Sequence, residues 1–164
     1  MEINFALDGL EYLEKELEYL KTHAVKVGVL GKEGAGNMVH DIALISEYAI
    51  YNEYGTISKK GNRHIPPRPF FRLSVATARS QKEIQEFMAD EIEKVISTEI
   101  TGEQYYKNIG TFVVKRIKQT IDSYGFKPNN PYTIKKKNQS KPLMDTHSLY
   151  NSISYEIVEV WSGT

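Results

Sequence analysis

Val25-Lys26-Val27-Gly28-Val29-Leu30 sets valine at alternate positions, the two-residue period of a strand with one face buried. The stretch before it has a different period. Leu7, Leu10, Leu13, Leu17 and Leu20 recur every three or four residues among glutamates and Lys15, an amphipathic helix over residues 6–22 with Gly9 its weak point. Near the other end, Ser152-Ile153-Ser154-Tyr155-Glu156-Ile157-Val158-Glu159-Val160-Trp161 is rich in β-branched and aromatic residues and reads as a second strand. These two strands are partners for one sheet, with helices over a face. The fold class is therefore α+β: a small antiparallel or mixed sheet packed against two or three long helices, with extended loops.

Between the strands, helical signals dominate. Gly31, Gly34 and Gly36 make a flexible loop over about 31–40, and Asp41 is positioned to cap a helix from Ile42 to Glu53 that Gly55 stops. Residues 56–69 carry Gly61 and three prolines, which preclude helix and leave a flexible extended loop or hairpin. A helix begins at Phe70 and either continues or kinks near Ser80. Ile84, Phe87, Met88, Ile92, Val95 and Ile96 form a helical stripe toward Ile100, Thr101-Gly102 breaks it, and Tyr106, Ile109, Phe112, Val113, Ile117, Ile121 and Tyr124 form another. Such stripes read as core, because helical period alone predicts burial. Residues 126–142 then form a third flexible loop, proline-bounded and lysine-rich, with Pro131–Lys136 a short helix or turn. Asp145 or Thr146 caps a last helical turn. No internal repeat is present, and residues 1–164 read as one domain.

At 164 residues, 40% hydrophobic and 26% charged, the composition is that of a soluble globular protein. No apolar run is long enough to span a membrane, and the acidic N-terminus lacks the features of a signal peptide, so the expected setting is the cytoplasm or an assembly built there. With no cysteine, disulfides, thiolate zinc sites and cysteine nucleophiles are excluded. The four histidines show no metal-binding spacing. A net charge of zero hides alternating blocks. Residues 1–56 hold ten acidic and four basic side chains, 57–79 six basic and no acidic, 80–105 seven acidic and two basic, 106–141 nine basic and one acidic. Such blocks suit copies that pack acidic surface on basic surface, and equally the solvated faces of a folded monomer.

Little in the chain resembles a reaction centre. Asp145-Thr146-His147-Ser148 groups an acid, a base and hydroxyls, but neighbours on a turn diverge where a triad must converge; the cap reading is preferred. Glu47 and Glu53 fall on different helix faces. The glycines after Val27 match neither a dinucleotide nor a P-loop pattern. Lys135, Lys136 and Lys137 read as a solvated or subunit-facing basic loop in preference to a nucleic-acid site. No cofactor or metal site is expected, and no enzyme.

The segment with the most distinctive chemistry is Tyr48–Arg72. Its Asn52-Glu53-Tyr54-Gly55-Thr56 end is a structural helix stop built on Asn52 and Gly55, and its His64-Ile65-Pro66-Pro67-Arg68-Pro69-Phe70-Phe71-Arg72 end sets two rings between two arginines behind stiffening prolines. Aromatic residues and arginine concentrate at interface hot spots. Arg68, Phe70, Phe71 and Arg72, with Lys135–Lys137, are thus candidate assembly residues.

Three islands together make the chain resemble the tail-completion (head–tail joining, neck) proteins of tailed bacteriophages, the HK97 gp10-like family. They are Lys26-Val27-Gly28-Val29; Ala49–Thr56 followed by Ile65–Arg72; and Asn130–Lys135 leading to Lys141–Thr146 and Leu149–Ile153. They run in order over about three-quarters of the chain. His147 departs from the glycine expected after the Asp145-Thr146 pair. The resemblance implies a non-enzymatic virion protein that forms a ring, often a hexamer, and meets connector or tail-tube proteins at the neck. It would be made in the host bacterial cytoplasm and carry no membrane segment. The rival readings are another minor tail or capsid-associated role, and a nucleic-acid-binding regulator using the basic 127–141 loop.

Overall fold

Seven residues on each side, His23–Val29 (β1) and Ile153–Glu159 (β4), pair antiparallel. Val25 stands opposite Ile157, Val27 opposite Tyr155 and Val29 opposite Ile153, so one face of the ribbon is apolar. On the other face Lys26 meets Glu156 at 3.7 Å, exposed to solvent. The computed structural model describes residues 2–30, 38–57, 61, 63–131, 134–135, 143 and 148–160. Around the ribbon lie α1 (Glu2–Thr22), α2 (Met38–Tyr54), α3 (Phe70–Val75), α4 (Ala78–Ile96), α5 (Gly102–Ser123) and α6 (Ser148–Ser152), with a second small sheet of β2 (Thr56–Ile57) and β3 (Arg63–Ile65). The fold is α+β.

A two-stranded ribbon is marginal alone and needs a helix against it. Here α5 supplies the support, lying against both strands. Tyr105, Ile109, Val113, Ile117 and Ile121 recur every four residues along it and are buried, with Ile117 fully so. Each contributes about 1.5–3 kcal/mol by leaving water. Gly110 lets the strand approach, for a Cβ there would stand 2.4 Å from the Tyr155 ring. Helix α4 packs on α5, with Phe87 and Phe112 stacked at 4.1 Å between them.

Helix ends follow local chemistry. Thr77 and Thr101 cap α4 and α5, each accepting a backbone N–H at 3.1 Å. The expected kink near Ser80 is thus a full break just before it. Thr101-Gly102 starts a helix, and the break falls at residues 97–100. Helix α2 begins at Met38, which places Asp41 inside it and removes the expected capping role. Most of the glycine loop expected at 31–40 lies outside the described residues.

The leucine face of α1 is the largest departure. Leu20 packs on the core, but Leu10 is 58% exposed and Leu17 37%. The buried side chain in their midst is Glu16, whose Oε2 accepts the Gly102 N–H at 2.6 Å. An anion at the positive end of α5 is favourable, so the helix turns its carboxylate inward and two of its leucines outward.

Candidate functional site

The Tyr48–Arg72 segment is a clasp. Gly55 ends α2 in the left-handed region at φ +75°, and a Cβ there would stand 2.7 Å from the Ile65 carbonyl oxygen. Only glycine fits both demands. The chain then makes the β2–β3 hairpin, with Thr56 opposite Ile65, and returns through Pro66–Pro69 to the helix it has just left. The Arg68 N–H donates to the Asn52 carbonyl at 2.6 Å and fastens the return.

Arg68 is the centre of the clasp and is 4% exposed. Its Nη1 donates to Asn52 Oδ1 (2.9 Å), its Nε to the Lys127 carbonyl (3.0 Å) and its Nη2 to Asn129 Oδ1 (2.8 Å). Every acceptor it reaches among the described residues is neutral. Burial accordingly pulls its pKa below the usual arginine value, with the Tyr48 phenol acting weakly the other way. A guanidinium stays protonated regardless, so its charge is held by dipoles. Asn52 is itself fixed, its Nδ2 donating to the Tyr48 carbonyl at 2.9 Å.

Glu53 makes the second half of the clasp. Its carboxylate accepts the backbone N–H groups of Phe71 (2.9 Å) and Arg72 (3.0 Å), orphan donors in the first turn of α3. It also pairs with Arg72 Nε at 2.9 Å, while Arg72 Nη2 donates to the Glu53 carbonyl. Pro69 opens α3 without offering a side-chain cap, and Glu53 supplies one from another helix. Phe70 is 2% exposed in the core and Phe71 packs against it. Ser74 is buried one turn on, its hydroxyl within hydrogen-bond reach of the Phe70 carbonyl (2.6 Å) and of Thr120 Oγ1 (2.8 Å).

Two assembly residues are therefore corrected: Arg68 and Phe70 are interior. The ring fills the core, and the guanidinium has three internal acceptors. Phe71 is largely interior too. Arg72 keeps half its side chain exposed and lies over the Tyr54 ring at 4.7 Å. The loops expected to reach freely from 56–69 and 126–142 are tied together where they are described, because Arg68 holds both Lys127 and Asn129. Lys135 is exposed on a helical turn, with the Ile134 N–H donating to the Asn130 carbonyl at 3.0 Å. Lys136, Lys137, Asp145 and Thr146 lie outside the described residues. From the third island, Leu143, Leu149 and Ile153 are core.

What the clasp leaves outside is apolar. Ile50, Tyr51 and Tyr54 share the outer face of α2, and Ile57 continues it in β2; Tyr54 is 64% and Ile57 71% exposed. Glu47 lies on the same face and accepts a hydrogen bond from the Tyr51 hydroxyl. Sequence reasoning missed this face, and missed Glu53 and Asn129 as partners. The face left a trace in the spacing of Ile50, Tyr54 and Ile57. The long-range partners left none. Among the described residues, no group of three or more His, Asp or Glu side chains is placed to hold a metal ion. No family model, curated protein or solved structure matches this chain.

Proposed function

We propose that this chain is a bacteriophage or prophage virion structural protein that completes the tail and joins it to the head connector, acting by subunit docking without turnover. The resemblance of its three residue islands supplies the setting. The observation that carries docking is the outer face of the clasp: Ile50, Tyr51, Tyr54 and Ile57 beside a half-exposed Arg72. Tyrosine, arginine and aliphatic side chains on a rigid support have the character of a hot spot. Arg72 is already pinned by Glu53 and stacked on Tyr54, so little side-chain entropy remains to be lost on binding. The interior clasp residues serve this reading as the frame that holds the face.

Phage particles lacking the protein test the role. Tailless full heads together with headless free tails support joining. Absence of tails overturns it in favour of a tail-building role. Complementation with an Ile50→Ser, Tyr54→Ser protein is expected to leave both particle types unjoined, and normal joining by that variant would separate the face from the function.

A further inference from the structure

We infer that the outer edge of β4 takes a third strand from a different protein, an extended segment that alternates apolar with basic residues. The hydrogen bonds of the ribbon show which backbone groups are spare. The Val160 N–H donates to the Thr22 carbonyl at 2.7 Å, and the Leu30 N–H to the Ser152 carbonyl at 3.0 Å. In an antiparallel ladder such bonded pairs alternate with unbonded ones. With Val158 opposite Ala24 and Glu156 opposite Lys26, the even-numbered residues of β4 are the ones that bond to β1. Tyr155, Ile157 and Glu159 turn their backbone groups the other way, and among the described residues no strand meets them. They form a row of donors and acceptors repeating at about 6.8 Å, two residues of strand. Another extended backbone is what matches such a row.

Exposed edges are ordinarily blunted with lysine, proline or a bulge. β4 has none of these: Ile153–Glu159 holds no basic residue and no proline, and its register against β1 runs unbroken over seven residues. The outer edge of β1 is better covered, with α1 and α2 packed against that strand and the Tyr106 hydroxyl 2.8 Å from the His23 carbonyl. Side chains specify the incoming strand. On the α5 side the ribbon is apolar through Val25, Val27, Tyr155 and Ile157, and a third strand continues that face with an apolar residue at every second position. β4 also carries Glu156 and Glu159. Lys26 reaches Glu156 at 3.7 Å, but both side chains are more than half exposed and the pair contributes little. A second β4 would set acids beside acids, whereas basic residues on the incoming strand meet them favourably. The edge therefore fits a basic and apolar strand of another protein better than a copy of itself.

Strand addition at this edge is independent of the clasp face and of the joining role. Amide exchange followed residue by residue by NMR tests it, because the parity of the strand predicts the pattern. In the free protein Tyr155, Ile157 and Glu159 are expected to exchange faster than Glu156 and Val158 at every protein concentration. Protection of the outer amides in dilute protein would mean that a segment of this chain covers the edge, and protection that grows with concentration that a second copy does. Either result overturns the inference. The probe is a blocked nine-residue peptide alternating valine with lysine. At saturation it is expected to slow the three outer amides about fivefold or more, the factor that one net hydrogen bond gives, and to leave Glu156 and Val158 unchanged. No slowing at about 1 mM peptide, where only very weak contacts escape, overturns the inference. So does equal slowing by the same peptide methylated on its backbone nitrogens, which keeps the side chains but cannot donate to a ladder. A Glu156→Lys, Glu159→Lys protein, shown folded by circular dichroism, is expected to bind the lysine peptide about three- to tenfold more weakly; unchanged affinity would refute the basic partner. Should that variant unfold, a glutamate-for-lysine peptide on the wild type makes the same comparison, and equal affinity gives the same refutation.

Discussion

The clasp and the first helix fail in opposite directions when judged by residue type. At the clasp, a proline-rich tract with arginines around two rings has the composition of a surface, yet Arg68 and Phe70 are interior. In α1, a leucine stripe has the composition of a core face, yet Leu10 and Leu17 face water while Glu16 is buried. What separates them is the supply of partners. Arg68 enters because Asn52, Asn129 and the Lys127 carbonyl together receive its donors. Glu16 enters because the N-terminus of α5 offers an N–H at 2.6 Å. Polar groups are buried where hydrogen bonds await them, and apolar groups are left out where the neighbouring helix has other business.

The comparison is broken most directly at Phe70. If the clasp is interior, Phe70→Ala costs about 3–5 kcal/mol, the toll for a fully packed ring. For a chain of this size that lowers the melting temperature by roughly 10 °C or more, as read by thermal circular dichroism. A stability unchanged within error would return the ring to the surface. Arg68→Ala follows at about 3 kcal/mol, since it leaves three acceptors unfilled in a buried site. Arg68→Lys is expected to recover only part of this, because an ammonium cannot present the same planar fork. Gly55→Ala comes next at about 2 kcal/mol, combining a positive φ with the close Ile65 carbonyl.

These sites also show what was legible beforehand. The valine alternation marked β1, and Gly55 marked the end of α2, because each is a local rule that tertiary contacts did not oppose. The pairing of β1 with β4 followed from there being two strong strand signals. The α5 stripe was readable for the same reason. Arg68 was not, for its acceptors lie sixteen and about sixty residues away, and no local pattern announces an acceptor. The exposed leucines of α1 were misjudged because periodicity tells which residues share a face without telling which face meets the core. Glu16 decided that, through a helix end 86 residues distant.

Glu91 extends the comparison to pH, with a smaller effect. It is a buried carboxylate on α4, hydrogen-bonded by Lys94 and by Asn108 Nδ2. Burial alone would raise its pKa, but the two hydrogen bonds and the Lys94 charge prevail and hold it below the usual carboxylate value. A carboxyl with a depressed folded pKa binds fewer protons folded than unfolded. Its contribution is therefore present above the unfolded value of about 4.3 and fades as pH falls through the folded one. Glu91→Gln is expected to cost about 1 kcal/mol at neutral pH and to lose that difference in acid. A variant whose deficit persists equally at pH 7 and well below pH 4 would show that packing, and not charge, is what Glu91 contributes.

The smallest expected effect on stability is the sharpest test of the contrast. Leu10→Ala and Leu17→Ala, in the leucine stripe that composition alone would make core, should change unfolding free energy by no more than about 0.5 kcal/mol each, as surface positions do. A buried leucine would cost about 2–5 kcal/mol for the same truncation. Leu20→Ala, one turn beyond Leu17 and packed on the core, is the internal control and belongs to the larger class. Urea midpoints for the three variants thus place a boundary within a single helix. If Leu17 falls with Leu20, the contact of α1 with the core extends a turn further than the exposure of Leu17 shows. If it falls with Leu10, the side of α1 that meets the core is set by the buried Glu16 carboxylate and its hydrogen bond to the Gly102 N–H, and not by the leucine period.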